Sequence, residues 1–266
     1  MKKYITIAAL LAAGSAFANA EATLVAQWNN FNDLVSDLGL SLTVANVTSS
    51  GSSYANGVLS VKNSSAAGTY ANRLCVDLST AGISAKNGFT LVMDISSFSD
   101  NANGMIADMV GGSSLSVGSE GAYGIGRGNV NNDYWRINNL GSYNRESATN
   151  ANVTAVANPG TLVFTFSSSG EMAFYVGGAL VCQDSAVAEN YSSTAAFTKL
   201  VLGGYGDHVN SAANTTYSLS KMALYSGVLK TKDIESGNVY IPEPSTFGLL
   251  AGLGALALVG TRRRRR

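Results

Sequence analysis

Few residues in this chain carry reactive chemistry, and their spacing limits what they can do. His208 is the single histidine. One imidazole cannot build a multi-histidine metal site, and a Ser-His-Asp triad would have to use it as base. It follows Gly203-Gly204-Tyr205-Gly206-Asp207, a run with no nucleophile-elbow pattern, and reads as an exposed loop residue. The acids Asp94, Asp100, Asp108, Glu120, Asp133, Glu146, Glu171, Asp184, Glu189 and Asp207 are scattered singly. Asp233 and Glu235 form an i, i+2 pair close to the end of the working segment. Glycoside cleavage needs two carboxylates flanking one bond. The spacing here suits solvated surface carboxylates instead, so the chain is not read as an enzyme.

Binding chemistry is better represented. Residues 129–147, NVNNDYWRINNLGSYNRES, interleave aromatics with amides and charges. Flat aromatic faces beside amide and carboxylate groups suit a sugar ring. The candidate glycan-binding residues are Tyr134, Trp135, Asn132 and Asp133, with Tyr205 and Asp207 from a second loop. Tyr134 and Trp135 are adjacent, so on a strand they face opposite sides, one inward and one outward. An ordinary strand with a core tryptophan and polar turns is the competing reading. Residues 99–104 and 129–134 offer oxygen ligands for calcium without EF-hand spacing, and turn chemistry accounts for the same residues. The metal is therefore left open, and no organic cofactor is implied. Asn-x-Ser/Thr triplets at Asn46, Asn63, Asn152, Asn190 and Asn214 are expected by chance in so Asn- and Ser-rich a chain.

The two cysteines, Cys75 and Cys182, lie in β-rich runs. In an exported chain they can form one disulfide, and the alternative is two buried free thiols.

Export is written into both ends. MKKYITIAALLAAGSAFANA has a basic start at Lys2 and Lys3, an apolar run from Tyr4 to Ala13, and the cleavage signature Ala18-Asn19-Ala20. It reads as a signal peptide over residues 1–20. The other end, IPEPSTFGLLAGLGALALVGTRRRRR, joins Pro242-Glu243-Pro244 to an apolar run and to Arg262, Arg263, Arg264, Arg265 and Arg266. Ser245 to Gly260 is 16 residues, about 24 Å as a helix. A bilayer core is about 30 Å thick, a deficit that thinning or arginine snorkelling covers. The arginines stay cytoplasmic by the positive-inside rule, which leaves the preceding domain outside.

This three-part tail resembles a PEP-CTERM sorting signal over residues 241–266. The resemblance implies recognition by an exosortase-type transpeptidase, an inner-membrane anchor before processing, and delivery to the envelope, surface or extracellular matrix. Ile241 stands where valine is commoner. Without the terminal segments, ten basic residues face sixteen acids, a net charge near −6. That balance disfavours nucleic acid as a partner.

The elements that must position these groups are strands. Leu162, Phe164 and Phe166 alternate in TLVFTF, as do Met172, Phe174 and Val176 in EMAFYV. A two-residue period marks strands with one face on a core. Gly177-Gly178 reads as a tight hairpin turn. FTLVMDI (89–95), YGIGRG (123–128), YWRIN (134–138), LVLGG (200–204) and YSLSKMALY (217–225) are further strands. TKDIES (231–236) predicts a helical turn capped by Thr231, and FNDLVSDLG (31–39) a helical turn or an irregular loop. The order of these parts resembles the laminin-G-like, concanavalin-A-like jelly roll over residues 40–236. LYSGVLKTKDIES (224–236) is the best match, and FYVGGALV stands where that family has a YVDG hairpin, with Gly177 for the aspartate.

The expected fold is all-β, a two-sheet jelly-roll sandwich over residues 21–240 between a signal peptide and a C-terminal transmembrane helix. The expected function is non-catalytic binding of glycan or exopolysaccharide at the cell envelope. The alternative is a structural surface or matrix protein without a defined small ligand. Intact mass of the envelope form should lack residues 1–20 and the arginine tail, whereas a full-length chain in that fraction would contradict both sorting signals.

Overall fold

Strands dominate the computed structural model, which describes residues 22–62, 73–98, 104–111, 122–128, 134–139, 158–184, 196–203 and 216–240. The signal segment, the tail and most of the polar loops singled out above lie outside the described residues. Fifteen strands and one short helix are present among those described. Their pairing is antiparallel throughout and builds two sheets.

The larger sheet is built on Phe89–Phe98 (β7) and Thr216–Ser226 (β15), which pair along most of their length. On one side of β7 follow Gly160–Phe166 (β11), Met172–Val176 (β12) and Ala179–Asp184 (β13). β15 has two partners on its other side. Its second half pairs with Thr23–Trp28 (β1), which carries Leu38–Gly39 (β2). Its first half pairs with Val58–Lys62 (β5), which carries Ser53–Ala55 (β4). The smaller sheet runs Tyr134–Asn139 (β10), Ala122–Gly128 (β9), Gly104–Gly111 (β8), Phe197–Leu202 (β14), Cys75–Asp77 (β6) and Val44–Ala45 (β3).

The expected alternation is realised in the core. Leu162, Phe164, Phe166, Met172 and Phe174 are all buried between the sheets, and Val176 packs at the margin of that cluster. Phe89 stacks on Phe166 at 5.4 Å and meets Phe164 edge-on at 5.6 Å. Phe197 and Tyr123 come across from the six-stranded sheet, Phe197 5.0 Å from Phe89 and Tyr123 4.5 Å from Phe166. Each fully buried phenylalanine contributes about 1.5–3 kcal/mol, so this cross-sheet aromatic cluster is a main source of stability. Tyr217 adds a polar link between the layers. Its hydroxyl donates to the Ile106 carbonyl at 2.7 Å, and complete burial holds the phenol well above its ordinary range.

Residues 31–39 are not helical: 31–37 are irregular and Leu38–Gly39 form β2. The Asn32 amide bonds Asn30 Oδ1 at 2.9 Å, that of Val35 bonds Asp33 Oδ1 at 2.9 Å, and that of Asn29 bonds Asp37 Oδ2 at 2.6 Å. Such local side-chain acceptors compete with helical hydrogen bonds. The hairpin of β12 and β13 does turn at Gly177 and Gly178, with φ of 56° and 84°, as a primed turn requires. The short helix α1 covers Thr231–Glu235, but Thr231 is not its cap. Lys230 occupies that place with extended backbone and no side-chain cap bond.

Candidate functional site

The stretch containing the candidate ligand residues enters the fold as β10, the margin of the six-stranded sheet. Trp135 and Ile137 point into the core. Trp135 is 3% exposed, with its ring 5.5 Å from Phe174 and 6.0 Å from Phe98. This corrects the expectation that Trp135 serves as a ligand platform, because the inward position of the Tyr134-Trp135 pair is the tryptophan's. Arg136, the alternate residue, is half-buried, and Tyr134 and Asn138 share its backbone register. Asn132, Asp133, Tyr205 and Asp207 lie outside the described residues.

Across from those positions, β9 places glycine at each partner. Gly128 pairs with Tyr134, Gly126 with Arg136 and Gly124 with Asn138. On the far side of β9, Asp108 of β8 pairs with Gly124. The register therefore sets a carboxylate and a guanidinium on one face with only glycine between their strands. The glycine at 124 is required, since a Cβ there would run into the Ala107 carbonyl and the Asp108 carboxylate. The middle of the face is closed to solvent, because Cys75, Val110, Val201, Asp108, Gly124 and Gly126 are all buried.

Asp108 was grouped in sequence with solvated carboxylates, yet it is 0% exposed. The signal was its setting: MIADMV places one acid inside an apolar strand, where charge is expensive without partners. Among the described residues no three His, Cys, Asp or Glu side chains gather in a group fit for a metal ion.

The cysteines do not pair. Cys75 sits on the outer side of the six-stranded sheet with Val110 and Val201. Cys182 lies in the core on the other sheet, its thiol donating to the Trp135 carbonyl at 3.1 Å. Side chains on opposite sides of different layers cannot meet the Cα separation of roughly 4.4–6.8 Å that a disulfide needs. Burial pushes the Cys182 thiol up to about 12 and raises Cys75 as well, against a smaller lowering by the Lys199 ammonium.

A second functional feature is the junction with the tail. After β15 the chain turns back as residues 227–240 and crosses the outer face of the nine-stranded sheet. There Val92, Val163, Tyr175, Ala223 and Tyr225 form a second apolar cluster closed by Ile234 and Val239. The Tyr225 hydroxyl donates to the Val239 carbonyl at 2.7 Å, and burial pushes that phenol up to about 12. Thr90 accepts from the Leu229 amide and donates to the Gly227 carbonyl, both at 3.0 Å. A Cβ at Gly178 would lie 3.0 Å from the Glu235 carbonyl, so the hairpin turn of β12 and β13 abuts the end of α1. Tyr240 ends this strap, with the Lys221 ammonium 5.8 Å from its ring centre. Burial raises its phenol well above the usual range, and the Asp94 carboxylate adds to the rise.

The residue after Tyr240 begins a recognisable signal. Residues 241–265 match the PEP-CTERM protein-sorting motif. The chain thus carries an exosortase-type sorting signal, which implies export and a membrane-anchored C-terminus. No helix among the described residues is long and apolar enough to cross a membrane.

No curated protein matches the chain. Among solved structures it is similar to the Trypanosoma rangeli sialidase, at 14% identity and a TM-score of 0.49, over 81% of this chain and 33% of that one. It is also similar to the botulinum neurotoxin serotype D ligand binding domain in complex with N-acetylneuraminic acid, at 14% identity and a TM-score of 0.47, over 80% and 50% of the two chains. A third is the binding domain of botulinum neurotoxin DC in complex with rat synaptotagmin II, at 13% identity and a TM-score of 0.46, over 82% and 51%. The chain spans about a third to a half of the length of these proteins.

At neutral pH the native protein should take up no maleimide, because the thiolate is the reactive form and burial suppresses it. After unfolding without reductant both cysteines should react. Thiol uptake that appears only after reduction would contradict the free-thiol assignment.

Proposed function

We propose that this protein is an exported, envelope-associated binding module for glycan or exopolysaccharide, built on a jelly-roll sandwich of laminin-G-like order and delivered by its sorting tail. The observation that carries the reading is the register of β10. Tyr134, Arg136 and Asn138 share the register that alternates with the core-facing Trp135, at the margin of the six-stranded sheet. These residue types supply an aromatic face, a fixed fork of donors and an amide that both donates and accepts. Asn132 and Asp133 directly precede β10 in sequence, and Tyr205 and Asp207, which follow β14, are the other residues of the proposed site. The exosortase-type transpeptidase is the second partner, engaged once, through Pro242-Glu243-Pro244. The arginines Arg262 to Arg266 hold the tail's orientation until processing.

Catalysis has no part in this reading. β10 has no acid and β8 has one, Asp108, which is sealed from solvent, so these strands provide no two carboxylates flanking one bond. Calcium enters only as a variable to be tested with the Asp/Asn loops.

The test is a polysaccharide and glycan array probed with the detergent-solubilised full chain, with and without calcium. Saturable binding is expected, and Tyr134→Ala should weaken it at least about tenfold, roughly 1.4 kcal/mol. Trp135→Ala should behave differently, lowering stability by about 3–5 kcal/mol as a large core truncation does. Absence of saturable binding, or binding indifferent to Tyr134→Ala, would favour a structural envelope protein without a defined small ligand.

A further inference from the structure

Where the sorting motif leaves the folded domain bears on how the domain sits at the membrane. Val239 is 2% exposed and Tyr240 packs over the central strands of the nine-stranded sheet. The motif starts at Ile241, with no spacer between it and the strap. We infer that the outer face of the nine-stranded sheet is the membrane-facing side of the anchored protein, and that the outer face of the six-stranded sheet cannot lie against the bilayer. The inference rests on the sorting-signal reading of the tail and adds to it a fixed side.

Tether length decides the matter. Phe247, where the apolar run begins, is seven residues beyond Tyr240. Fully extended, seven residues reach about 25 Å at most. Tyr240 lies near Lys221 of β15, and the shortest sideways route to the sheet margin crosses β1 and β2. That route costs about 10 Å at 4.7–4.9 Å per strand. Passing to the other outer face then means crossing the sandwich. Its sheets are about 10 Å apart, and the outer side-chain layers bring the thickness to roughly 20 Å. About 30 Å is needed and about 25 Å is available, before any length is spent reaching the membrane. The strap would have to peel away for the domain to roll over. Its apolar anchors Ile234 and Val239 and the Tyr225 hydrogen bond oppose that.

The consequence for function is directional. The β10 margin belongs to the layer held away from the bilayer, where an extracellular polymer is within reach. The sorting enzyme, in contrast, meets the motif in a gap bounded by lipid and by the nine-stranded sheet.

The buried native thiols make the test direct, because an introduced surface cysteine is labelled selectively. Two variants of the full chain, Lys232→Cys on α1 and Asp77→Cys, exposed on the outer side of β6, are reconstituted in phosphatidylethanolamine–phosphatidylglycerol vesicles carrying a headgroup acceptor dye. An impermeant donor maleimide reports only outward-facing molecules. Energy transfer to the bilayer should be several-fold greater from Lys232→Cys than from Asp77→Cys. Inserting about twenty Gly/Ser residues after Tyr240, a flexible coil, should abolish the difference. Equal or reversed transfer in protein that floats with the vesicles would overturn the orientation. So would a difference that survives the insertion. Protein that fails to float would overturn the anchor reading, and the orientation with it.

Discussion

The pairing of β7 with β15 is the constraint on which the rest of the molecule depends. These two strands are apolar on both faces, and a strand buried on both faces needs a covering layer on each side. Leu91, Met93 and Ile95 look inward with Leu219, Met222 and Leu224, where the six-stranded sheet covers them. Val92, Ala223 and Tyr225 look outward, and among the described residues the returning chain from 227 to 240 covers them. The strap is therefore part of the sandwich in the energetic sense. Without it a contiguous apolar patch would face water beside strands that also carry the register of β1, β5 and β11.

That arrangement joins two properties that look separate in sequence. One is the stability of the domain and the other is the position of its sorting signal. The fold cannot release residues 229–240 without uncovering Val92 and Val163, so Tyr240, the residue before the motif, is held against one outer face. The opposite layer carries β10, where the proposed ligand site lies. Its inward side is filled by Trp135, Tyr123 and Phe197, which lock it to the nine-stranded sheet. In the alternate register, β9 places Gly124, Gly126 and Gly128 opposite Asn138, Arg136 and Tyr134 of β10. Division of labour between faces follows from strand alternation, since each side chain's neighbour serves the other side.

Much of this was legible from residue types. TLVFTF and EMAFYV announced their inward faces because a half-buried strand has no other way to pattern its side chains, and Gly177-Gly178 announced its turn because two successive positive φ angles favour glycine. The tail was legible because its signal is covalent and local, and the matching motif spans the same residues. Other features depended on partners far away in sequence. Nothing in YW says which ring goes inward until the sandwich is assembled around Phe98 and Phe174. The cysteines sit in similar-looking strands, and only the assignment of those strands to different sheets separates them. Asp108 looked like any surface acid until β9 and β14 closed over its strand. Thr231 had the chemistry of a cap, but the backbone enters the helix one residue earlier, at Lys230. The strap was the largest surprise. Its composition, LKTKDIESGNVY, is polar overall, and only Ile234, Val239 and the two ends betray that it covers an apolar face.

The central claim is that residues 227–240 belong to the same cooperative unit as β7 and β15, and native-state hydrogen exchange on the full chain tests it most directly. The amides of Gly227, Leu229, Ile234 and Asn238 bond to Gly88, Thr90, Lys230 and Asp233 respectively. Cooperative units exchange together at the free energy of their common opening. The account predicts that these four amides exchange as slowly as the paired amides of β15, and that Val239→Asp accelerates all of them together. Rapid exchange across 229–240 beside a fully protected β15 would show the strap to be a loose tail, and would contradict the account.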